Sequence, residues 1–446
     1  MSYLLSLALA LELTALALHQ SLLSVLSAAC FAGFFAVHWR SLMPYPKKLA
    51  LVTVAVVGVW ISLGEASWDK ALALASAVAY YSAFVGALGL MHCLVVHLPK
   101  LSELHQKLLA WPAASLYPAY LLSSFAISAV ISFGMLSLIC GSLETYTRTR
   151  NIQGRRLAAG MRGVMVSSLR GWALVPLLAP TSVGVAILTR EIPSLSWSTL
   201  LPYSAVAALV MLIIGWLSEN RRLAVLKSRR HEPNPTLEGI SFNRLLLASA
   251  VVIAFISLLA THSSLSATQA AMVLIPLTVV GALLGLTGSL RQSLKEINQT
   301  LCGMRNESFI FGVSALLGGI IAMLVPTDWL AALIGTNPWA LLAFSSLAML
   351  SIVLGTLLGV TPIIGINLCA GVLAQMSVQG VAPLGPAIAL LAGFALAMLI
   401  SPYGASAIMI ARYAGLTPWH VAVNWNGRFV LWALPFMLLI PLLAYL

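Results

Sequence analysis

Gly171-Trp-Ala-Leu-Val-Pro-Leu-Leu-Ala-Pro180 and Gly393-Phe-Ala-Leu-Ala-Met-Leu-Ile-Ser-Pro402 lie 222 residues apart in one chain and superpose without a gap. Both open on glycine, run through apolar residues and close on proline. At the same offset Arg190 meets Arg412, Trp197 meets Trp419, and Ser123-Ser124 meets Ser345-Ser346 with Ala126 over Ala348. Apolar bias aligns alanine with leucine at any offset. It does not align proline, arginine, tryptophan and a serine pair at a single one, so the chain reads as two copies of one unit with no net insertion between them.

Both copies belong in a membrane. Of 446 residues, 60% are hydrophobic and 8% charged, and the mean hydropathy is +0.98. Windows such as 245–259 and 387–400 carry no charge at all. Backbone in hydrocarbon must satisfy its own hydrogen bonds, so these windows are helices; the alternation of a membrane barrel is absent. The segment 3–18 has no basic start and no small-residue cleavage site, and it carries Glu12, which marks it as a retained helix and not a signal peptide. The expected fold is an all-α polytopic membrane protein. Residues 1–19 form an extra helix, 20–218 a first repeat, 219–243 a basic cytoplasmic linker and 244–446 a second, inverted repeat.

The offset pairs the apolar segments 22–38 with 244–260, 48–65 with 270–287, 76–98 with 298–320, and 199–217 with 421–439. Between the third and fourth members each copy has a long apolar stretch, 114–147 or 338–376, and a proline-centred helix, 163–190 or 385–412. If each long stretch enters and returns as a re-entrant hairpin, a copy crosses the bilayer an odd number of times and the second copy is inverted. Basic residues favour this arrangement. With the loop holding Arg221, Arg222, Lys227, Arg229 and Arg230 in the cytoplasm, nearly every other basic loop falls on that face, and only Lys70 and Arg190 fall outside. Each repeat is therefore expected to hold three scaffold helices, a re-entrant hairpin, a proline-broken helix and a further helix. The formal charge of +12 follows from this topology and is not the signature of a nucleic-acid partner.

Proline inside a helix removes a hydrogen bond and clashes with the preceding turn. Pro180 and Pro402 lie ten residues before Arg190 and Arg412, about 15 Å of helix, which sets the prolines near the midplane and the arginines at opposite surfaces. Snorkelling to the interface is the favoured reading of these arginines. A helix broken at the midplane frees amides and carbonyls that need a polar, protein-lined cavity, and its exposed ends can bind ions. Thr181, Ser182 and Gly184 flank the first break, and Ser401, Tyr403, Gly404 and Ser406 the second. The hairpin tips are expected near 132–137, with Ser137, and near Gly355 to Pro362, with Gly359, Thr361 and Pro362. Asn367 follows as the only carboxamide between 338 and 375. These residues form the candidate solute and ion site.

The layout resembles the ion transporter superfamily, which includes the large membrane subunits of tripartite ATP-independent periplasmic transporters and the divalent-anion/sodium symporters. Pro180-Thr-Ser-Val-Gly184 is similar to the first break of the tripartite subunits, and Leu399-Ile-Ser-Pro-Tyr-Gly404 to their second. The serine-asparagine-threonine hairpin signature of the symporters is absent, and Thr361 to Asn367 is a loose counterpart. The resemblance implies an elevator mechanism driven by sodium or protons, without fixing the substrate or a sodium site. A small organic anion is the expected solute.

Other classes fit less well. An integral-membrane enzyme acting on a lipid-linked substrate needs carboxylates or histidines gathered at a membrane surface; here the longest hydrophilic stretch holds Glu219, Glu232 and Glu238 among arginines with no metal-ligand spacing. A non-transporting membrane subunit has no need of two polar midplane breaks. No Walker A sequence and no filter motif is present. Glu12 and Glu144 are the two carboxylates well inside apolar segments, and the five cysteines are too scattered for a metal site. The chain is expected in a bacterial inner membrane as a homodimer, with no cofactor beyond a coupling Na+ or H+, no enzymatic activity and no obligatory periplasmic binding protein.

Overall fold

The computed structural model describes residues 3–95, 105, 108–109, 111–131, 135–149, 154–225, 242–335 and 337–445. Their regular elements are all helices, and ten of these are long and apolar enough to cross a membrane. The chain opens with α1 (Leu4–Leu18), α2 (Ser21–Val37), α3 (Pro44–Ser62), α4 (Trp68–Gly89) and the short α5 (Met91–Val95). Then follow α6 (Leu116–Ile131), α7 (Met135–Thr149), α8 (Gly154–Trp172), a turn α9 (Val175–Leu178), α10 (Val183–Glu191) and α11 (Trp197–Ala224). Beyond the linker come α12 (Phe242–His262), α13 (Ala267–Thr287), α14 (Leu290–Gly303), α15 (Arg305–Leu324) and α16 (Thr327–Ile334). The last group is α17 (Pro338–Leu357), α18 (Pro362–Val378), α19 (Leu384–Ile400), α20 (Ala405–Ala414) and α21 (Trp425–Leu439).

Local chemistry sets these boundaries. Ser196 and Ser266 each form a capping box, accepting from the backbone of Thr199 and Gln269 while those side chains bond back to the cap. Helix starts recur at the spacing read from the sequence: Leu116 and Pro338, and Val183 and Ala405, are 222 residues apart. Two expected spans are divided: 76–98 holds the end of α4, Leu90 and α5, with 96–98 outside the described residues. The segment 298–320 contains the end of α14, Met304 and most of α15, because Arg291, Gln292, Lys295 and Glu296 give α14 a polar face that hydrocarbon would not accept. Arg221 and Arg222, read as linker residues, belong to the last turn of α11; residues 226–241 lie outside the described residues.

Two kinds of close contact organise the interior. The first is a crossing of α4 over α15, antiparallel and tight, where the Ser82 hydroxyl donates to the Ser308 carbonyl at 3.0 Å and Gly312 sits against Val78 and Ser82. Nearby Gly86 abuts Leu301 and Gly319 abuts Leu74. The second joins the hairpin arms to the broken helices. Gly171 of α8 lies against the backbone of Leu121 and Phe125 in α6, and Gly393 of α19 lies against Met349 in α17. Small residues let helix backbones approach closely, which is how membrane helices gain packing energy without a hydrophobic drive between them. α1, outside the repeated elements, packs on α2 and α4 and buries Glu12. Outward faces are apolar, as a lipid-facing surface requires: Leu51, Val54 and Ile61 on α3 are all exposed.

Candidate functional site

Both broken helices break where the sequence indicated. Ala179 and Ser182 are extended, and Pro180 and Thr181 between them leave the helical path. The Ser182 hydroxyl caps α10, accepting from Gly184 N at 3.1 Å and Val185 N at 3.4 Å. The Thr181 hydroxyl donates to the Ala129 carbonyl at 2.9 Å, which fastens this break to the last turns of α6, beside the expected tip of the first hairpin. Residues 132–134 of that tip lie outside the described residues, and Ser137 falls in the first turn of α7 with its side chain likewise outside them.

The second break is built differently. Ser401 and Gly404 are extended around Pro402 and Tyr403, and no side chain caps α20. The turn of the second hairpin, 358–361, comes to this break: a Cβ on Gly359 would lie 3.7 Å from the Tyr403 ring. Gly359 has a φ of +96°, a left-handed conformation that glycine adopts without the steric cost of a side chain. Pro362 opens α18, where its missing N–H removes no helical bond. The hydroxyl oxygens of Thr361 and Ser401, and that of Thr356 one turn before the hairpin bend, are buried and have no hydrogen-bond partner. Such groups cost about 1–3 kcal/mol each when left unsatisfied, so three of them in this neighbourhood mark a place that gains by binding something polar. Ser406 is buried in the first turn of α20, and Tyr403 is exposed.

The two breaks are linked through α18 and α19. Gly184, just past the first break, packs on Ile366 of α18 and on Leu391 and Phe394 of α19. Phe394 is seven residues from Ser401, about 10 Å along the helix. One turn from Ile366 the chain meets a cavity of about 330 Å³ between α4 and α15 on one side and α10 and α18 on the other, within the size range of small-molecule sites. Its polar lining is Arg190, Glu191, Asn367 and Gln375. Asn367 is buried and donates to the Ile363 carbonyl at 2.9 Å.

Arg190 is the residue that sequence reasoning misplaced. Instead of snorkelling, its guanidinium lies 4.3 Å over the Tyr80 ring and donates to the Ser76 hydroxyl at 3.1 Å. Ser76 contacts the Ser24 hydroxyl at 3.1 Å, and Ser24 donates to the Glu12 carboxylate at 2.8 Å. A bonded chain therefore runs from α1 through α2 and α4 to the cavity. Glu191 accepts from the Tyr81 hydroxyl at 3.1 Å on the same wall. Two tyrosines one after the other in α4, spaced from an arginine by a whole hairpin, gave no local signal. Glu144 is exposed and takes no part.

A second charged cluster was also missed. Arg170, 1% exposed, donates to the Asn426 carboxamide at 3.2 Å and to the Ser218 hydroxyl at 3.3 Å, and it lies 3.9 Å over the Phe429 ring. It joins α8 to α11 and α21. The described residues hold no group of histidine, cysteine, aspartate and glutamate able to bind a metal ion, and the five cysteines form no disulfide with one another.

No protein-family model matches the chain, and no curated protein does. Its fold is similar to the crystal structure of the Alcanivorax borkumensis YdaH transporter, described as having an unusual topology, with a TM-score of 0.50 and 13% sequence identity. The superposition covers 94% of this chain and 97% of that one. The chain is thus a multi-pass, all-helical membrane protein with a transporter-like fold.

Proposed function

We propose that the chain is a secondary active transporter of a small organic anion, working by elevator-type alternating access and driven by sodium or protons. The observation that carries this reading is the cavity holding Arg190 and Asn367. It lies between two sets of helices that differ in build: α4 and α15 cross as continuous rods, whereas α10 and α18 begin at a break and at a hairpin bend. An arginine in a membrane cavity is a functional suspect by default, and with Glu191 already bonded to Tyr81 it has spare donors for a carboxylate or similar group.

In this reading the helix starts that recur at 222 residues mark two inverted repeats, 20–218 and 244–446, as in the ion transporter superfamily. The α4–α15 contacts support it. Gly312 against Ser82 and Gly89 against Met304 come within one residue of being exchanged by the 222-residue offset, as expected where a segment crosses its own inverted copy about a local twofold. The glycine contacts of α8 on α6 and α19 on α17 would make each hairpin and broken helix one mobile body, moving past α3, α4, α13 and α15. The chain would sit in a bacterial inner membrane as a homodimer, with the basic linker 219–243 in the cytoplasm.

The test is purified protein screened by thermal shift against organic anions, with and without sodium and at two pH values. A true ligand at about 100 times its Kd should stabilise the fold by about 2.7 kcal/mol, and Arg190→Gln should abolish that gain. If no anion stabilises the protein and none accumulates in proteoliposomes under either gradient, the transporter reading is wrong.

A further inference from the structure

We infer that the chain carries a second anion site, unrelated to the solute cavity, for a phosphate-bearing group at the membrane face where α11 ends. Glu219, 3% exposed, is surrounded by three guanidiniums: Arg222 Nη1 at 2.8 Å, Arg162 Nη2 at 3.4 Å and Arg170 Nη2 at 4.0 Å. One carboxylate neutralises one of them. Its close pair is Arg222, which donates to both carboxylate oxygens at 2.8 and 3.0 Å, and Arg170 has its donors taken up by Asn426 and Ser218 under the Phe429 ring, so Arg162 is the guanidinium left with both charge and donors to spare. Arg162 and Arg222 line a cavity of about 430 Å³ bounded by α8, α11, α20 and α21. Among the described residues no acidic side chain lines it.

The cavity wall has the chemistry of a phosphate subsite with an apolar floor. Arg162 presents a buried Nε with no hydrogen-bond partner, and its guanidinium lies 5.8 Å from the Trp425 ring. His420 sits edge-on to the same ring at 6.2 Å. Ala158, Ala414 and Leu416 complete the surface. Arginine forks match phosphate oxygens two at a time, and such charge-assisted bonds are about twice as strong as neutral ones. Partly buried guanidiniums in excess over their carboxylate gain more from an anion than exposed ones, because water screens them less. The occupant would join the end of α20, which follows the second break, to α8 and α11, and so tie the two copies together at one face.

Two sources supply this chemistry, the head group of an anionic phospholipid and a soluble phosphate compound, and binding can be read without any transport assay. Protein in phosphatidylcholine nanodiscs would be titrated with inorganic pyrophosphate and followed by thermal shift. Native mass spectrometry would compare retention of phosphatidylglycerol with that of phosphatidylcholine. The wild type should be stabilised by pyrophosphate, or should retain phosphatidylglycerol selectively, or both, which identifies the source. Arg162→Gln should weaken the effect by about tenfold or more, and Ala158→Phe, which fills the cavity without changing charge, should do the same in a folded protein. Arg190→Gln, in the other cavity, should leave it unchanged. No preference for either phosphate compound in the wild type, or full retention in Ala158→Phe, would overturn the site.

Discussion

Replacing Gly171 with alanine tests whether the first hairpin arm and the first broken helix are one body. A Cβ at this position would lie 2.4 Å from the Leu121 carbonyl oxygen, 2.7 Å from Ser124 Cβ and 3.1 Å from the Phe125 amide. Optimal carbon contacts are about 3.5–4.0 Å, and two of the three neighbours are backbone atoms that cannot rotate away. α6 and α8 would have to separate by roughly 1 Å, and overpacking of that size costs about 1–3 kcal/mol. Alanine recovers up to about 1 kcal/mol of helix propensity, which leaves a net loss of up to about 2 kcal/mol. Gly281 in α13 provides the comparison: it has nothing within 4 Å of an added Cβ, so its alanine variant should be neutral or slightly stabilised. At Gly393 the nearest atom is the flexible Met349 Cγ at 2.9 Å, with Met349 Cα and O at 3.1 Å, which predicts an intermediate loss. Thermal unfolding of the three variants in one detergent should rank them Gly281→Ala, Gly393→Ala, Gly171→Ala from most to least stable. A Gly171→Ala protein melting at or above Gly281→Ala would refute the close approach, and with it the idea that these helices travel together.

Glu219→Gln should destabilise the fold by about 3 kcal/mol, more than Arg222→Gln, because it leaves the buried Arg170 and the partly buried Arg162 without the one carboxylate they meet among the described residues; denaturant titration of both variants checks the order. Ser182→Ala should lose about 1 kcal/mol through its cap, whereas Ser401→Ala, whose hydroxyl has no partner, should keep its stability and lose solute affinity. Equal melting losses in the two would contradict the different roles assigned to them. Single cysteines at Val225 and Val378, the ends of α11 and α18, should label from opposite sides of the membrane, and labelling from one side alone would remove the inverted topology.

The 222-residue offset made much of the backbone legible, since helix starts recur at it. The breaks at Pro180 and Pro402 and the bend at Gly359 lie where proline and glycine interrupt apolar sequence, since these residues act on their own helix and need no tertiary context. The polar face of α14 is legible in Arg291, Gln292, Lys295 and Glu296, but these precede the apolar run 298–320 that the 222-residue offset selects. Arg190 could not be placed from spacing. Its depth follows from helical rise, yet whether it turns to lipid or to Tyr80 depends on which helix lies beside it, and α4 is separated from it by more than a hundred residues. Arg170 went unread for the same reason: its partners Ser218, Glu219 and Asn426 come from two other helices, and nothing near it in sequence announces a buried charge.

The two breaks share a backbone plan but not a chemistry, and this difference bears on where a solute would be selected. In the first, Thr181 is bonded to Ala129 and Ser182 to the amides of α10, so both hydroxyls serve the fold. In the second, Ser401 and Thr361 have no such duty, α20 has no side-chain cap, and the exposed Tyr403 sits against the bend at Gly359. A capped helix end has little left to offer a ligand; an uncapped one retains free amides and the positive end of its dipole. Under the proposed function, the break at Pro402 would therefore be the one with polar groups left to discriminate among solutes, while Arg190, in the separate cavity that α18 also lines, would supply the charge. α18 connects the two places, since it begins at Pro362 beside the Gly359 bend and carries Asn367 into the cavity wall.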